Sequence, residues 1–432
     1  MAIYFDNTTI KRGNSGIPII YKAEILGKEV NFLDYDGTIL YSYTAAEFAA
    51  LSSMPANPTH DGLTAQGWNW SLANAKAYVA KYGKLNIGQM YITNDGKTRI
   101  YIHLEEGRTS PVLGVCPNGT VDIDWGDGTT HDILTGSSTS TAVYISAHNY
   151  TTPGDYVIQL TVTGSMGFRG NGLLMYASNS DNRNYVYKNA IQKVELGSGV
   201  TSISNSAFNY CYSLSSITIP DGVTSIGGYA FQNCSSLSSI TIPDGVTSIS
   251  DSTFNYCYSL SSITIPDDVT SINDSAFSYC SSLSSITIPD GVTSIGGYAF
   301  RNCSSLSSIT IPDGVTSISN SAFQNCSSLS SITIPDGVTS ISDSAFYNCY
   351  SLSSITIPDS VTIIGGYAFQ NCYGVAHLYF LPTTPPRVSN SNAFSKIPTD
   401  CVIHVPVGSL SAYTSAVNYP SSSTYTYVED IV

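Results

Sequence analysis

The feature that most constrains this chain is a period of 23 residues. Phe208, Phe231, Phe254, Phe277, Phe300, Phe323, Phe346 and Phe369 stand 23 apart, and Cys211, Cys234, Cys257, Cys280, Cys303, Cys326, Cys349 and Cys372 keep the same step. The unit reads L-S-S-I-T-I-P-D-G-V-T-S-I-x-x-x-A-F-x-x-C-x-S and runs about eight times from Ile191 to Gly374. A fixed period of this length is the mark of a stacked repeat, in which one copy cannot bury its own apolar residues and needs its neighbours. In Leu214-Ser215-Ser216-Ile217-Thr218-Ile219, isoleucine alternates with Ser and Thr, the pattern of a half-buried strand. Pro220-Asp221-Gly222 then supplies a corner, because proline cannot donate to a ladder and Asp-Gly suits a turn. Val223 and Ile226 return inward, and Ala230, Phe231 and Cys234 fill the remaining side. The prediction is a right-handed solenoid with Leu, Ile, Phe and Cys ladders inside and a parallel sheet along one face.

These blocks, L-x-x-I-x-I-P, V-x-x-I and A-F-x-x-C, resemble the BspA-like, or Treponema-type, leucine-rich repeat. The resemblance implies a surface-exposed or secreted adhesion protein with no catalytic residue in the repeat. Departures fall near the ends and at one alanine: Gly197 replaces the first proline, Thr253 one alanine, and the last strand reads Val375 to Leu381 before Pro382. The eight equally spaced cysteines read as an inward column of small hydrophobes. A linear column does not converge on one point as zinc ligands must, so neither metal nor cofactor is expected.

Upstream, Val121-Asp122-Ile123-Asp124-Trp125-Gly126-Asp127-Gly128, then His148-Asn149-Tyr150, Pro153-Gly154-Asp155-Tyr156 and Val157 to Val162, read as strand, tight turn and strand. This stretch resembles the PKD domain, an immunoglobulin-like β-sandwich that serves as a spacer or weak interaction module, although one residue between Trp and Gly is missing here. Asp122, Asp124 and Asp127 do not have EF-hand spacing and are expected to cap turns. In the first 96 residues, 30–40 alternates like a hairpin around Asp34 to Thr38, while 44–51 and 71–82 have helical periodicity behind Thr and Ser caps. This head resembles small β-rich repeats of bacterial surface proteins and attachment segments of bacteriophage tail proteins. Trp68 and Trp70 are candidates for a sugar platform or for core.

The fold class expected is therefore mainly β with short helices. An α+β attachment domain spans 1–96, a PKD-like β-sandwich 97–165, a linker and solenoid N-cap 166–190, leucine-rich repeats 191–381 and a C-terminal cap 382–432. No basic and apolar leader opens the chain, which favours a phage tail location over export to a cell surface; no run of 18 apolar residues is present. A formal charge of −14 argues against nucleic acid, whose phosphates need clustered Lys and Arg. From Gly197 to Gly374 there are eleven Asp and one Arg, Arg301, a net −10. The histidines are scattered, no nucleophile, phosphate or dinucleotide motif occurs, and the Pro-Asp-Gly aspartates sit at an exposed corner; no enzyme is expected.

Comparison of one copy with the next locates a candidate binding strip. Ser215, Ser216 and Thr218 recur unchanged in copies two through seven, whereas variation gathers after the V-x-x-I block and around the cysteine. Tyrosines dot these variable positions: Tyr210, Tyr212, Tyr229, Tyr256, Tyr258, Tyr279, Tyr298, Tyr347 and Tyr350. Tyr adds contact area at low entropic cost, and with Ser, Gly, Asn and Asp it makes adaptable recognition surfaces. The partner expected is a cell-surface protein or glycan. Three other readings stay open: drift on a solvated surface, a flat Ser216/Thr218 ladder matched to a repetitive solid, and a purely structural spacer with no ligand.

Overall fold

The computed structural model describes residues 29–33, 39–56, 63–68, 75–76, 79–80, 85–93, 95–137, 144–168, 175–176 and 189–432. The chain divides into two compact units, Met1–Gly96 and Lys97–Val432.

In the first unit, β1 (Val30–Leu33) and β2 (Ile39–Tyr43) form an antiparallel pair, and β3 (Leu63–Trp68) pairs antiparallel with β4 (Leu85–Thr93). β1 and β4 run parallel, so the order is β2-β1-β4-β3. Helix α1 (Ala45–Ala49) starts on a reciprocal cap: the Glu47 N–H donates to the Thr44 hydroxyl, and the Thr44 N–H donates to the Glu47 carboxylate. Its Phe48 packs with Val30 and Phe32 in a small core. The Asp34 to Thr38 turn and Trp70 lie outside the described residues, as does most of the 71–82 stretch; Trp68 is described only as the end of β3.

In the second unit, β5 (Thr98–Leu104) buries Ile100, Ile102 and Leu104 by strict alternation. Two long strands, β6 (Pro111–Asp124) and β9 (Gly154–Phe168), pair antiparallel, and β9 also pairs antiparallel with β5. β7 (Asp132–Ser137), β8 (Tyr144–Ala147) and β10 (Met175–Tyr176) all pair with β6. Trp125, buried behind β6, donates its ring N–H to Asp132 at 2.8 Å, and the Tyr150 hydroxyl donates to the Trp125 carbonyl at 2.8 Å.

This sheet continues into the coils. β11 (Ile191–Glu195) pairs antiparallel with β5 and parallel with the first coil strand, Ser216–Thr218; β12 (Val200–Ile203) pairs parallel with the end of β9 at Met166 to Phe168. The apolar core therefore runs unbroken from Ile100 to Tyr413. A solenoid end without such cover would expose its ladder edge and its core.

Each coil has three walls. The first is the Ser-Ile-Thr strand, which at several steps pairs in register with the strand 23 residues on, as in Ser239↔Ser262 and Ser308↔Ser331. The second is a further parallel ladder, which the alternation in sequence does not predict: Ser248, Ser271 and Ser294 pair in succession, as do Ser317, Ser340 and Ile363. Two residues per strand are too few to register as periodicity, and the pairing arises because equal coils bring equal residues side by side. The third wall carries Ala, Phe and Cys. There alternate N–H groups bond locally and to the next coil: Phe208 N–H donates to the Ala230 carbonyl at 2.8 Å, and Cys211 N–H to the Phe208 carbonyl at 3.1 Å.

This alternation puts two residues of every coil at positive φ, two before and two after the phenylalanine. The first site is Ser206, Tyr229, Ser252, Ser275, Tyr298, Ser321, Ser344 and Tyr367; the second is Tyr210, Asn233, Tyr256, Tyr279, Asn302, Asn325, Asn348 and Asn371. Every φ lies between 54° and 64°. Inside, the Phe rings from Phe208 to Phe394 stack face to face at 5.3–5.7 Å. The column thiols are buried, and those from Cys234 to Cys372 donate to a phenylalanine carbonyl of the preceding coil, as Cys280 does to Phe254 at 3.2 Å. Burial raises the thiols from Cys257 to Cys372 well above the ordinary range, Cys326 and Cys372 to about 12.

At the far end, Val402–Pro406 and Thr426–Ile431 extend the first ladder, and helix α2 (Leu410–Ser415) closes it. Tyr413 donates to the Pro382 carbonyl at 2.6 Å and packs on Phe380 and Tyr419, which seals the last coil.

Candidate ligand-binding face

Among the described residues of the coils, every aliphatic core position is turned inward, and the large apolar side chains left exposed are tyrosines and Ile363. The tyrosines of the expected strip fall in separate columns of the third wall. Tyr229 and Tyr298 occupy the first positive-φ site, where Tyr367 joins them; these three are 44%, 42% and 41% exposed. Tyr210, Tyr256 and Tyr279 occupy the second site and are half-buried. Tyr212, Tyr258 and Tyr350 lie just after the cysteine and are exposed, with Tyr373 in the same column. Tyr347 directly follows its phenylalanine and is half-buried.

The first column has a period of its own. Gly227-Gly228-Tyr229, Gly296-Gly297-Tyr298 and Gly365-Gly366-Tyr367 recur every third coil, which at the usual strand spacing separates the rings by about 14 Å. The coil before each triplet carries an Asx that receives the second glycine's N–H: Gly228 donates to Asn205 at 2.9 Å, Gly297 to Asp274 at 2.7 Å and Gly366 to Asp343. The first glycine leaves no room for a side chain, since a Cβ on Gly296 would lie 2.5 Å from the Asp274 nitrogen. Each tyrosine thus stands on the same built support.

The structure draws four of the expected residues together across three coils. Tyr256 stacks on Tyr279 at 4.4 Å, and Tyr258 meets Tyr256 edge-on at 5.8 Å. On the other side the Arg301 guanidinium carbon lies 5.8 Å from the Tyr279 ring centre and 5.6 Å from that of Tyr298. Burial, then the Tyr279 and Tyr258 neighbours, raise the Tyr256 phenol against the opposing Arg301 charge, so it is a neutral hydroxyl at neutral pH. Tyr210 and Tyr212 make a separate edge-on pair at 5.9 Å, and Tyr350 stacks on Tyr373 at 5.6 Å. Tyr229 and Tyr347 lie outside these stacks. Reasoning from sequence passed over Arg301 and Tyr367. The signals for them were the lone cation between Gly197 and Gly374 and the third Gly-Gly-Tyr.

Six tyrosines, Tyr210, Tyr229, Tyr256, Tyr279, Tyr298 and Tyr367, stand at positive φ. Asn is favoured at positive φ, which explains Asn233, Asn302, Asn325, Asn348 and Asn371 at the second site. A tyrosine held there costs roughly 1–2 kcal/mol by the handedness of L-residues. The strand face, by contrast, presents uniform Ser and Thr around a buried Ile, and the neighbouring serines of that wall donate to the preceding coil, as Ser330 does to the Ser307 carbonyl at 3.1 Å.

Outside the coils, the carboxylates near Trp125 are engaged within their turns. Gly126 N–H donates to Asp124 at 2.9 Å, Thr129 donates through N–H and hydroxyl to Asp127, and His131 lies 2.8 Å from Asp122. Burial opposes the Asp127 charge, but the bonds from Thr129 and His148 outweigh it and hold its carboxyl below the ordinary value. Among the described residues no group of three or more His, Cys, Asp or Glu is arranged to hold a metal ion, and no helix is long and apolar enough to cross a membrane.

Stacked coils with inward Leu, Ile, Phe and Cys ladders define a leucine-rich-repeat solenoid. The family model described as "BspA type Leucine rich repeat region" matches residues 181–307, 247–376 and 293–402, just over half of the chain. The chain belongs to that family. It is similar to a leucine-rich repeat protein from Bacteroides ovatus at 26% identity, covering 52% of this chain and 76% of that one, TM-score 0.41. It is also similar to the T. pallidum leucine-rich repeat protein at 26% identity, covering 49% and 83%, TM-score 0.36. A leucine-rich cell surface protein from Faecalibacterium prausnitzii matches at 26% identity over 69% of this chain and 96% of that one, TM-score 0.30. No curated protein matches this sequence.

Proposed function

We propose that this is a non-catalytic adhesion protein that recognises a ligand on a cell surface through the tyrosine columns of its third wall. One observation carries the reading: Tyr210, Tyr256 and Tyr279 sit half-exposed at a positive-φ site where sibling coils hold Asn at less conformational cost, and Tyr229, Tyr298 and Tyr367 stand exposed at the other positive-φ site. A residue that costs stability on a surface is accounted for by what it contacts. Family membership and the lack of a nucleophile, metal or phosphate motif in the coils support a binding role over a catalytic one. In this reading residues 97–165 act as a PKD-like spacer, and residues 1–96 attach the protein to a larger assembly. A phage tail is one such setting and a bacterial surface the other; a gene placed among tail and baseplate genes identifies the first.

Sibling coils supply the test. Tyr256→Asn, Tyr258→Ser and Tyr279→Asn together give two coils the residues of their neighbours, so the fold is kept. The expected result is at least a tenfold loss of cell binding at a melting temperature equal to or above the parent's. Binding equal to that of the parent protein refutes the proposal.

A further inference from the structure

Arg301 is the single Lys or Arg between Gly197 and Gly374, a stretch of net charge −10. Such a field would ordinarily satisfy a guanidinium with a carboxylate, yet no ion pair to Arg301 occurs among the described residues. Asp274 on the preceding coil spends a carboxylate oxygen on the Gly297 N–H instead. The guanidinium lies by the Tyr279 and Tyr298 rings, and its Nε is buried without a hydrogen-bond partner, which leaves the terminal Nη groups as the donors a ligand can reach. Ring contacts engage the flat faces of a guanidinium and leave the in-plane fork of N–H donors for a planar anion.

We infer that Arg301 is the specificity-determining residue of the tyrosine face, and that its ligand is a glycan ending in a sugar with one isolated carboxylate. This rests on the adhesion reading and names its ligand class. The carboxylate takes the two terminal Nη groups of the guanidinium. The exposed Tyr258 and Tyr298 rings, with Tyr256 between the coils, offer flat faces to the C–H side of a sugar. A peptide ligand would need pockets for apolar anchors, whereas the aliphatic side chains of these coils are buried and the face is a shallow ladder of rings and hydroxyls. The acidic stack repels a polyanion, so the charge recognised is single.

The experiment measures binding of the full-length protein to 3′-sialyllactose, 3′-sulfolactose and lactose by calorimetry, with Arg301→Gln and Arg301→Lys beside the parent. Expected is at least tenfold preference for the sialylated sugar over the other two. Arg301→Gln removes that preference, and Arg301→Lys, which keeps the charge but lacks the fork, loses most of it. Circular dichroism melting shows both variants folded as the parent. Equal binding of lactose and sialyllactose, an unchanged Arg301→Gln, preference for the sulfated sugar, or binding of an acidic peptide in place of all three each overturns the inference. The triple tyrosine variant separates the two readings. If it abolishes cell binding while Arg301→Gln leaves it intact, adhesion stands and the acidic-glycan ligand falls.

Discussion

Phe277 is fully buried in the middle of the ring column, with Phe254 at 5.5 Å and Phe300 at 5.4 Å. Truncation to alanine removes a buried aromatic, which costs roughly 3–5 kcal/mol including the cavity. Two stacked ring contacts go with it, and such contacts are each worth about 0.5–1.5 kcal/mol beyond area burial. A total near 5 kcal/mol follows, since part of the stacking is already counted in the truncation. In a solenoid this loss is not spread over the molecule, because each coil touches only its neighbours and stability is a sum of coil and interface contributions. Phe277→Ala weakens both interfaces of its coil and is expected to uncouple the coils on either side. Urea unfolding, cooperative in the parent, is expected to split into two transitions. Hydrogen exchange followed by mass spectrometry is expected to place the new fast-exchanging amides between about residues 254 and 300, with the ends of the solenoid protected as before. A shift below about 1.5 kcal/mol, or loss of protection spread evenly along the coils, would mean that the ring column is not what joins them.

The thiol column predicts a pH dependence. All ten cysteines are free and buried, and burial raises seven of them, so the folded chain holds protons that the unfolded chain releases. Stability is therefore complete below the unfolded thiol value near pH 8.5 and falls as pH rises toward the folded values, by up to about 1.4 kcal/mol per pH unit for each thiol; melting curves from pH 7 to 11 that show no decline would contradict this. Folded protein at pH 8 is expected to leave the column thiols unreacted with a thiol-specific reagent until denaturant is added. Gly296→Ala forces a Cβ to 2.5 Å from the Asp274 backbone nitrogen and 2.6 Å from the Asn273 carbonyl carbon; it is expected to cost roughly 1–3 kcal/mol as overpacking and to weaken ligand binding by displacing Tyr298, whereas Gly314→Ala, with its nearest neighbour at 3.3 Å, serves as the mild control.

The 23-residue period carried the coil, its inward ladders and the Pro-Asp-Gly corner, because equal coils in register turn a one-dimensional pattern into contacts between neighbours. The strip of tyrosines was legible for the same reason, as the positions that copies do not share. Three things waited for the tertiary structure. The second parallel ladder has only two residues per strand, too short for any periodicity. The positive-φ sites are set by hydrogen bonds to the next coil, as in Ser206 N–H to the Gly228 carbonyl at 2.9 Å, and residue type hinted at them only through the recurrent Asn. The union of β5 and β9 with the first coil pairs residues about 90 and 35 positions apart in the chain, and the Arg301 cluster gathers Tyr256, Tyr279 and Tyr298 from three coils. Repetition writes nearest-neighbour contacts into the sequence; the single arginine between two rings exists only once the coils are stacked.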